Sequence, residues 1–163
     1  MPEQLPHDPY ADAVMEALGD RYDPAESWTA YDSDNGEVML MELVVTLDAD
    51  RARAAGWHHG LVLHWNQITG WEWMALDRDG RGNNSSPLAS PTVCTPETVT
   101  QAVDQVLAPD GWRSLPTTGR HRDAPSVLPE PFTQLLAEVD EYVSDQDTAA
   151  DIADAVRALA SYA

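Results

Sequence analysis

Apolar residues along this chain recur with two different periods, and the switches between them mark the elements. From Asp8, the positions Tyr10, Val14, Ala17 and Leu18 share a helical face, with Asp8 as N-cap, Pro9 at the first helical position and Gly19 as the stop. Asp20 to Gly36 has a loop-forming composition, with Pro24, Asp32, Ser33, Asp34, Asn35 and Gly36, in which Trp28 and Tyr31 are embedded. Glu37 to Leu47 then reads as a strand. Met39, Met41, Leu43, Val45 and Leu47 make one wholly apolar face, and Glu42 alone interrupts the other face of Val38, Leu40, Val44 and Thr46.

Gly60 to Trp65 and Trp71 to Leu76 make a second and a third strand, joined by a loop of hairpin length from Asn66 to Gly70. Past the turn from Asp77 to Asn84, a short segment around Leu88 adds a fourth. The next helix is the best marked in the chain: Thr95 caps it, Pro96 takes its first position, and Val99, Ala102, Val103, Val106 and Leu107 form its stripe. Pro109, Gly111, Pro116, Gly119, Pro125 and Pro129 make residues 108–130 a linker or long surface loop draped by Trp112. Phe132, Leu135, Leu136, Val139 and Val143 make one further helix and Ile152, Val156 and Leu159 another, with Ser144 to Asp147 between them.

The pattern predicts an α+β fold: an N-terminal helix, a three- to four-stranded antiparallel meander, one packing helix and a C-terminal helical hairpin. It divides into a core domain at 1–107, the linker or loop at 108–130, and the hairpin at 131–163. Neither hairpin stripe can bury itself alone, so the hairpin docks on the core or joins two copies of the chain as a homodimer through residues 131–162.

Composition narrows the function classes. The 163 residues suit one domain, and 43% hydrophobic residues with six Trp and five Tyr are too many for a wholly disordered acidic chain. Nine basic residues, every one an Arg, stand against 28 acidic ones, for a net charge of −19. That balance argues against direct nucleic-acid binding or a grip on an anionic membrane through a basic surface. The acid sits at the two ends: residues 1–50 carry −12 and residues 123–163 carry −8, around a nearly neutral aromatic middle. Cys94 is the single cysteine, so no intramolecular disulfide is expected. No basic and apolar leader opens the sequence and no apolar run reaches membrane-spanning length, which makes the cytoplasm the expected location.

Candidate chemistry is sparse. His58, His59 and His64 are clustered, but on an extended strand His58 and His64 lie about 20 Å apart, too far to chelate one ion unaided. No metal or other cofactor is therefore assigned. Asp77-x-Asp79-Gly80 and Asp32-x-Asp34-x-Gly36 match fragments of calcium loops, yet the twelfth positions hold Leu88 and Leu43 in place of Glu, and turn formation explains them better. Cys94, just before a helix cap, has no base placed beside it, which favours a buried small hydrophobe. No nucleophile elbow, phosphate loop, dinucleotide fingerprint or zinc-protease helix occurs, and no catalytic residue is assigned.

Two features remain. Glu42 and Glu72 are lone carboxylates inside hydrophobic strands: facing one cleft they would act as acid and base, whereas from a half-covered sheet they would point to solvent or pair with an Arg such as Arg51 or Arg53. Trp65, Trp71 and Trp73 would form a partner-binding surface if exposed, although six Trp beside a single Phe make most of them core fillers.

Leu61 to Trp73, with its Trp-rich hairpin ending in Gly70-Trp71, followed by the helix that opens Thr95-Pro96-Glu97, resembles small actinobacterial domains without an assigned activity. The resemblance covers roughly residues 37–107, rests on Trp and Gly placement, and carries over no functional residue. The absence of Lys and the abundance of Arg, Ala and Asp fit the same kind of GC-rich source.

The leading expectation is a non-enzymatic acidic interaction module that binds a basic partner protein, of the immunity, antitoxin, anti-restriction or DNA-mimic kind. Its contact candidates are Trp65, Trp71, Trp73, Asp32, Asp34 and Glu72. The alternative is a small-molecule binder or enzyme that uses the sheet face around Glu42, His64 and Glu72.

Overall fold

The computed structural model describes residues 5–22, 26–33, 39–82 and 84–163. The fold is α+β. Helix α1 (Asp8–Tyr22) precedes strands β1 (Glu26–Ser33) and β2 (Met39–Thr46), the short helix α2 (Ala49–Ala54), and strands β3 (Leu61–Asn66), β4 (Gly70–Ala75) and β5 (Ser86–Ser90). Helix α3 (Pro96–Val106), a 3-10 turn at Gly111–Ser114, strand β6 (Thr117–Thr118), and helices α4 (Phe132–Tyr142) and α5 (Gln146–Ala160) complete it. The six strands lie in sequence order; β1 to β5 are antiparallel and β6 joins β5 in parallel.

Strand alternation builds the core. Met41, Leu43 and Val45 of β2, Leu61, Leu63 and Trp65 of β3, and Trp71 and Trp73 of β4 are buried on one face of the sheet. The buried stripes of α1 (Tyr10, Val14, Leu18) and α3 (Val99, Ala102, Val103, Val106) belong to the same cluster, and the two helices pack side by side. Each large apolar side chain so buried contributes on the order of 1.5–3 kcal/mol. Helix α3 starts as its sequence predicts, with Pro96 in the first turn and the Thr95 hydroxyl accepting from the Thr98 amide at 3.3 Å.

The start and end of α1 differ from expectation. Asp8 lies inside the first turn, and its carboxylate reaches back to accept from the Leu5 amide at 2.8 Å, tying down the segment that leads into the helix. The helix also runs through Gly19 to Tyr22. A mid-helix glycine costs about 1 kcal/mol, which the buried Val14 and Leu18 offset.

The segment from Asp20 to Gly36, read as a loop, contains strand β1 instead. Its register runs from Glu26 opposite Thr46 to Ser33 opposite Met39. Trp28, Thr29 and Tyr31 are strand-favouring residues, and their cross-strand partners Val44, Leu43 and Met41 lie on an apolar neighbour that rewards pairing.

Residues 108–130 run over the surface, yet they are tied down at one place. Beyond the pairing of β6 with β5, Gly119 donates to the Ser90 carbonyl at 2.8 Å and Thr95 donates to the Arg120 carbonyl at 2.9 Å. Glycine is required at 119, since a Cβ there would stand 2.1 Å from the Thr98 hydroxyl.

The C-terminal helices pack on each other and on the core. Asp145 caps α5 through the Thr148 amide at 3.0 Å. Phe132, Leu135 and Val139 of α4 and Ile152, Val156 and Leu159 of α5 are buried within the one chain. Just past α5, the Tyr162 ring meets the Tyr10 ring edge-on at 5.0 Å, and the Arg122 guanidinium lies 4.1 Å over Tyr162.

Candidate functional site

Residues of the opposite parity face away from the helices. Glu42, Val44 and Thr46 of β2, Val62 and His64 of β3, and Glu72 and Met74 of β4 are all half-buried and keep access to solvent. On this second face His64 stands directly opposite Glu72, and Glu42 stands opposite Asn66, one diagonal step from His64. The Glu42 Oε1 atom lies 3.5 Å from His64 Nε2, with the two side chains 27% and 20% exposed. The register thus gathers the three polar residues of the sheet alternative on neighbouring strands, with His64 of β3 between Glu42 of β2 and Glu72 of β4. The aliphatic surround of Val44, Val62 and Met74 lowers the local dielectric and strengthens any charge interaction made there.

Glu42 is also held from the core side. His7, 1% exposed, donates from Nε2 to the Glu42 carbonyl at 2.9 Å and stacks on Trp65 at 5.8 Å. Burial pushes the His7 pKa below its ordinary value, so the ring is held neutral. Its Nδ1 is buried without a hydrogen-bond partner among the described residues. Nothing in the sequence marked His7, because its role depends on a carbonyl 35 residues away.

The aromatic candidates lie elsewhere. Trp65 and Trp71 are fully buried and Trp73 nearly so, on the face that meets the helices. The Trp65 indole donates to the Thr92 carbonyl at 2.6 Å, Trp71 donates to the Tyr10 hydroxyl at 2.9 Å, and Trp73 packs edge-on against Trp57 at 5.1 Å. Period-two geometry separates them from Glu72: neighbours on one strand point to opposite faces, so Trp71 and Trp73 cannot share a surface with the residue between them. Asp32 lies in β1 opposite Leu40, and Asp34 lies outside the described residues. The large apolar side chains that do reach solvent include Ile68 in the β3–β4 turn and Trp112, where Arg113 sits 5.1 Å from the ring.

Other candidates resolve into structural roles. Cys94 is buried and its thiol pKa is pushed up to about 12 by that burial, far from the range of a reactive thiolate. The Asp77 carboxylate accepts from the Asp79 amide at 2.9 Å and the Arg81 amide at 3.0 Å, the bonding of a tight turn that Gly80 completes with φ of 76°. His58 and His59 are exposed beyond α2. Among the described residues no three His, Cys, Asp or Glu side chains converge on a cation position. A shallow cleft of about 320 Å³ lies between α5 and the β5–α3 loop, lined by Ile68, Pro91, Val93, His121, Asp151 and Asp154.

Among the described residues no helix is long and apolar enough to cross a membrane. Compared with known proteins, the chain matches no family model, no curated protein and no solved structure.

Proposed function

We propose that this chain is a non-enzymatic interaction module that binds a basic partner protein through the second face of its sheet. The observation that carries the reading is the row of Glu42, His64 and Glu72 on a solvent-accessible face of a chain with a net charge of −19. Two carboxylates there would receive a cationic side chain, Val44, Val62 and Met74 would pack against its aliphatic stem, and the acid of the two chain ends would steer the approach. The buried tryptophans take no part in this contact, so its apolar component is aliphatic. A protein of this kind acts by occupying the cationic, nucleic-acid-binding face of its partner, as an immunity, antitoxin, anti-restriction or DNA-mimic protein would.

The test is capture of basic proteins from a lysate of the source organism at low and high salt, by the wild-type chain and by the E42Q/E72Q variant. The expected result is a protein retained at low salt, released at high salt, and lost with the variant. Retention that survives E42Q/E72Q would assign the binding to the general acidity of the chain and sink the proposal.

The 3.5 Å approach of Glu42 to His64 supports a second reading, since a carboxylate that orients an imidazole is the arrangement of a general base acting on a small molecule. A small-molecule screen by thermal shift separates the two. A hit whose shift disappears in H64Q, in a chain that captures no basic protein, would favour the second.

A further inference from the structure

His64 stands between the two carboxylates that the proposed partner would engage. It approaches Glu42 Oε1 to 3.5 Å through Nε2 and lies directly opposite Glu72. The groups that face it are few: β2 presents Glu42 and, directly opposite, Val44; β4 presents Glu72; Val62 and Asn66 flank it along β3. In β1, the residue opposite Glu42 is the uncharged Ala30, and the acidic Asp32 stands two positions further along the strand, opposite Leu40. Among the described residues the ion-pair partner of Glu42 is His64, and Glu72 makes no ion pair.

Resting on the reading of a basic partner, we infer that the group seated on this row is an arginine guanidinium, and that it competes with a proton on His64 for the same two carboxylates. Two strand spacings separate β2 from β4, about 10 Å. Glutamates on the strands to either side of His64 are set apart by a gap that a planar group with donors along several edges bridges better than a compact ammonium. Neutral His64 leaves both carboxylates to the guest. A proton on His64 would pair the ring with Glu42 in place and repel the guest cation. By linkage the competition is reciprocal, so a guest that is weakened by the proton must also expel it.

The experiment is an NMR titration of the full chain with N-acetyl-arginine amide at pH 7.5 and 5.5, following the backbone amides, with N-acetyl-lysine amide as comparator. Expected are saturable shifts centred on Glu42, His64 and Glu72, with affinity about tenfold weaker at pH 5.5 and with lysine amide weaker than arginine amide at pH 7.5. In H64Q, and independently in H64N, the difference between the two pH values should fall below about twofold; His7 is retained in both variants, so any contribution of its own shows as the difference that remains in them. Equal affinity at both pH values in the wild type overturns the inference without any variant, as does a pH dependence that H64Q preserves. Equal binding of the lysine amide overturns the choice of guanidinium. Shifts that never centre on these three residues, at either pH, instead count against the basic-partner reading itself.

Discussion

The indole nitrogen of Trp71 donates to the hydroxyl of Tyr10 at 2.9 Å, joining the middle of the sheet to the first helix. The same hydroxyl donates onward to the Cys94 carbonyl at 2.6 Å, so one buried oxygen serves a strand, a helix and the loop that leads into α3. Burial holds the Tyr10 phenol well above its ordinary pKa, which keeps it a donor at any working pH.

Tyr10→Phe would leave the Trp71 N–H and the Cys94 carbonyl buried without partners while keeping the ring in place. Each orphan costs about 1–3 kcal/mol, so the variant is expected to lose about 2–6 kcal/mol of stability. Urea unfolding followed by tryptophan fluorescence measures it; a loss below about 0.5 kcal/mol would show that water reaches these groups.

Acidification should destabilise the fold through His7. Burial depresses its folded pKa below the ordinary histidine value of about 6.5, so the unfolded chain binds the proton more readily. Stability is therefore retained above about pH 6.5 and falls as pH drops below it towards the depressed folded value. His7→Gln keeps an amide donor within reach of the Glu42 carbonyl but cannot titrate. Its unfolding midpoint should change less between pH 7.5 and 5 than that of the wild type, and parallel curves would refute the assignment.

The Cys94 thiol, with its pKa pushed up to about 12 by burial, should be inert in the native protein. A colorimetric disulfide reagent at pH 8 is expected to find no reactive thiol until denaturant is added, and then one per chain. Rapid native labelling would mean that the segment from Pro91 to Thr95 opens readily.

Ending the chain near residue 125 removes α4, α5 and Tyr162, and with them the ring that covers Tyr10 at 5.0 Å. The shortened chain is expected to unfold at a temperature at least about 5 °C lower, as a loss of a few kcal/mol would produce in a domain of this size. An unchanged melting temperature, measured by circular dichroism, would show that the helical pair adds nothing to the core.

Gly119→Ala would drive a methyl group into the Thr98 hydroxyl, because the Cβ position lies 2.1 Å from that oxygen. The segment around Gly119 must move off α3, at a cost of about 1–3 kcal/mol. Amide exchange at Gly119 and Thr95, which donate to Ser90 and Arg120, should accelerate.

Much of the architecture was legible because it is written in local rules. The alternation of Met41, Leu43 and Val45 requires a strand with one buried face, and Thr95-Pro96 with Val99, Ala102, Val103 and Val106 requires a capped amphipathic helix. Strand β1 was not legible because Pro24, Asp34 and Gly36 bracket it with turn residues and Asp32 adds another within it. Its pairing is rewarded by Met41, Leu43 and Val44, which lie in another segment.

Within the candidate site, the sequence by itself marked Glu42 and Glu72 as carboxylates out of place and put Trp71 and Trp73 on a common face, since a strand alternates whatever surrounds it. Only the tertiary structure decided which face the helices cover, and so sent the tryptophans inward and the glutamates outward. It also decided the register that sets His64 between them. Register and docking are sums over residues distant in the chain, from His7 at the Glu42 carbonyl to Tyr162 on Tyr10, and no single segment contains the energies that choose them.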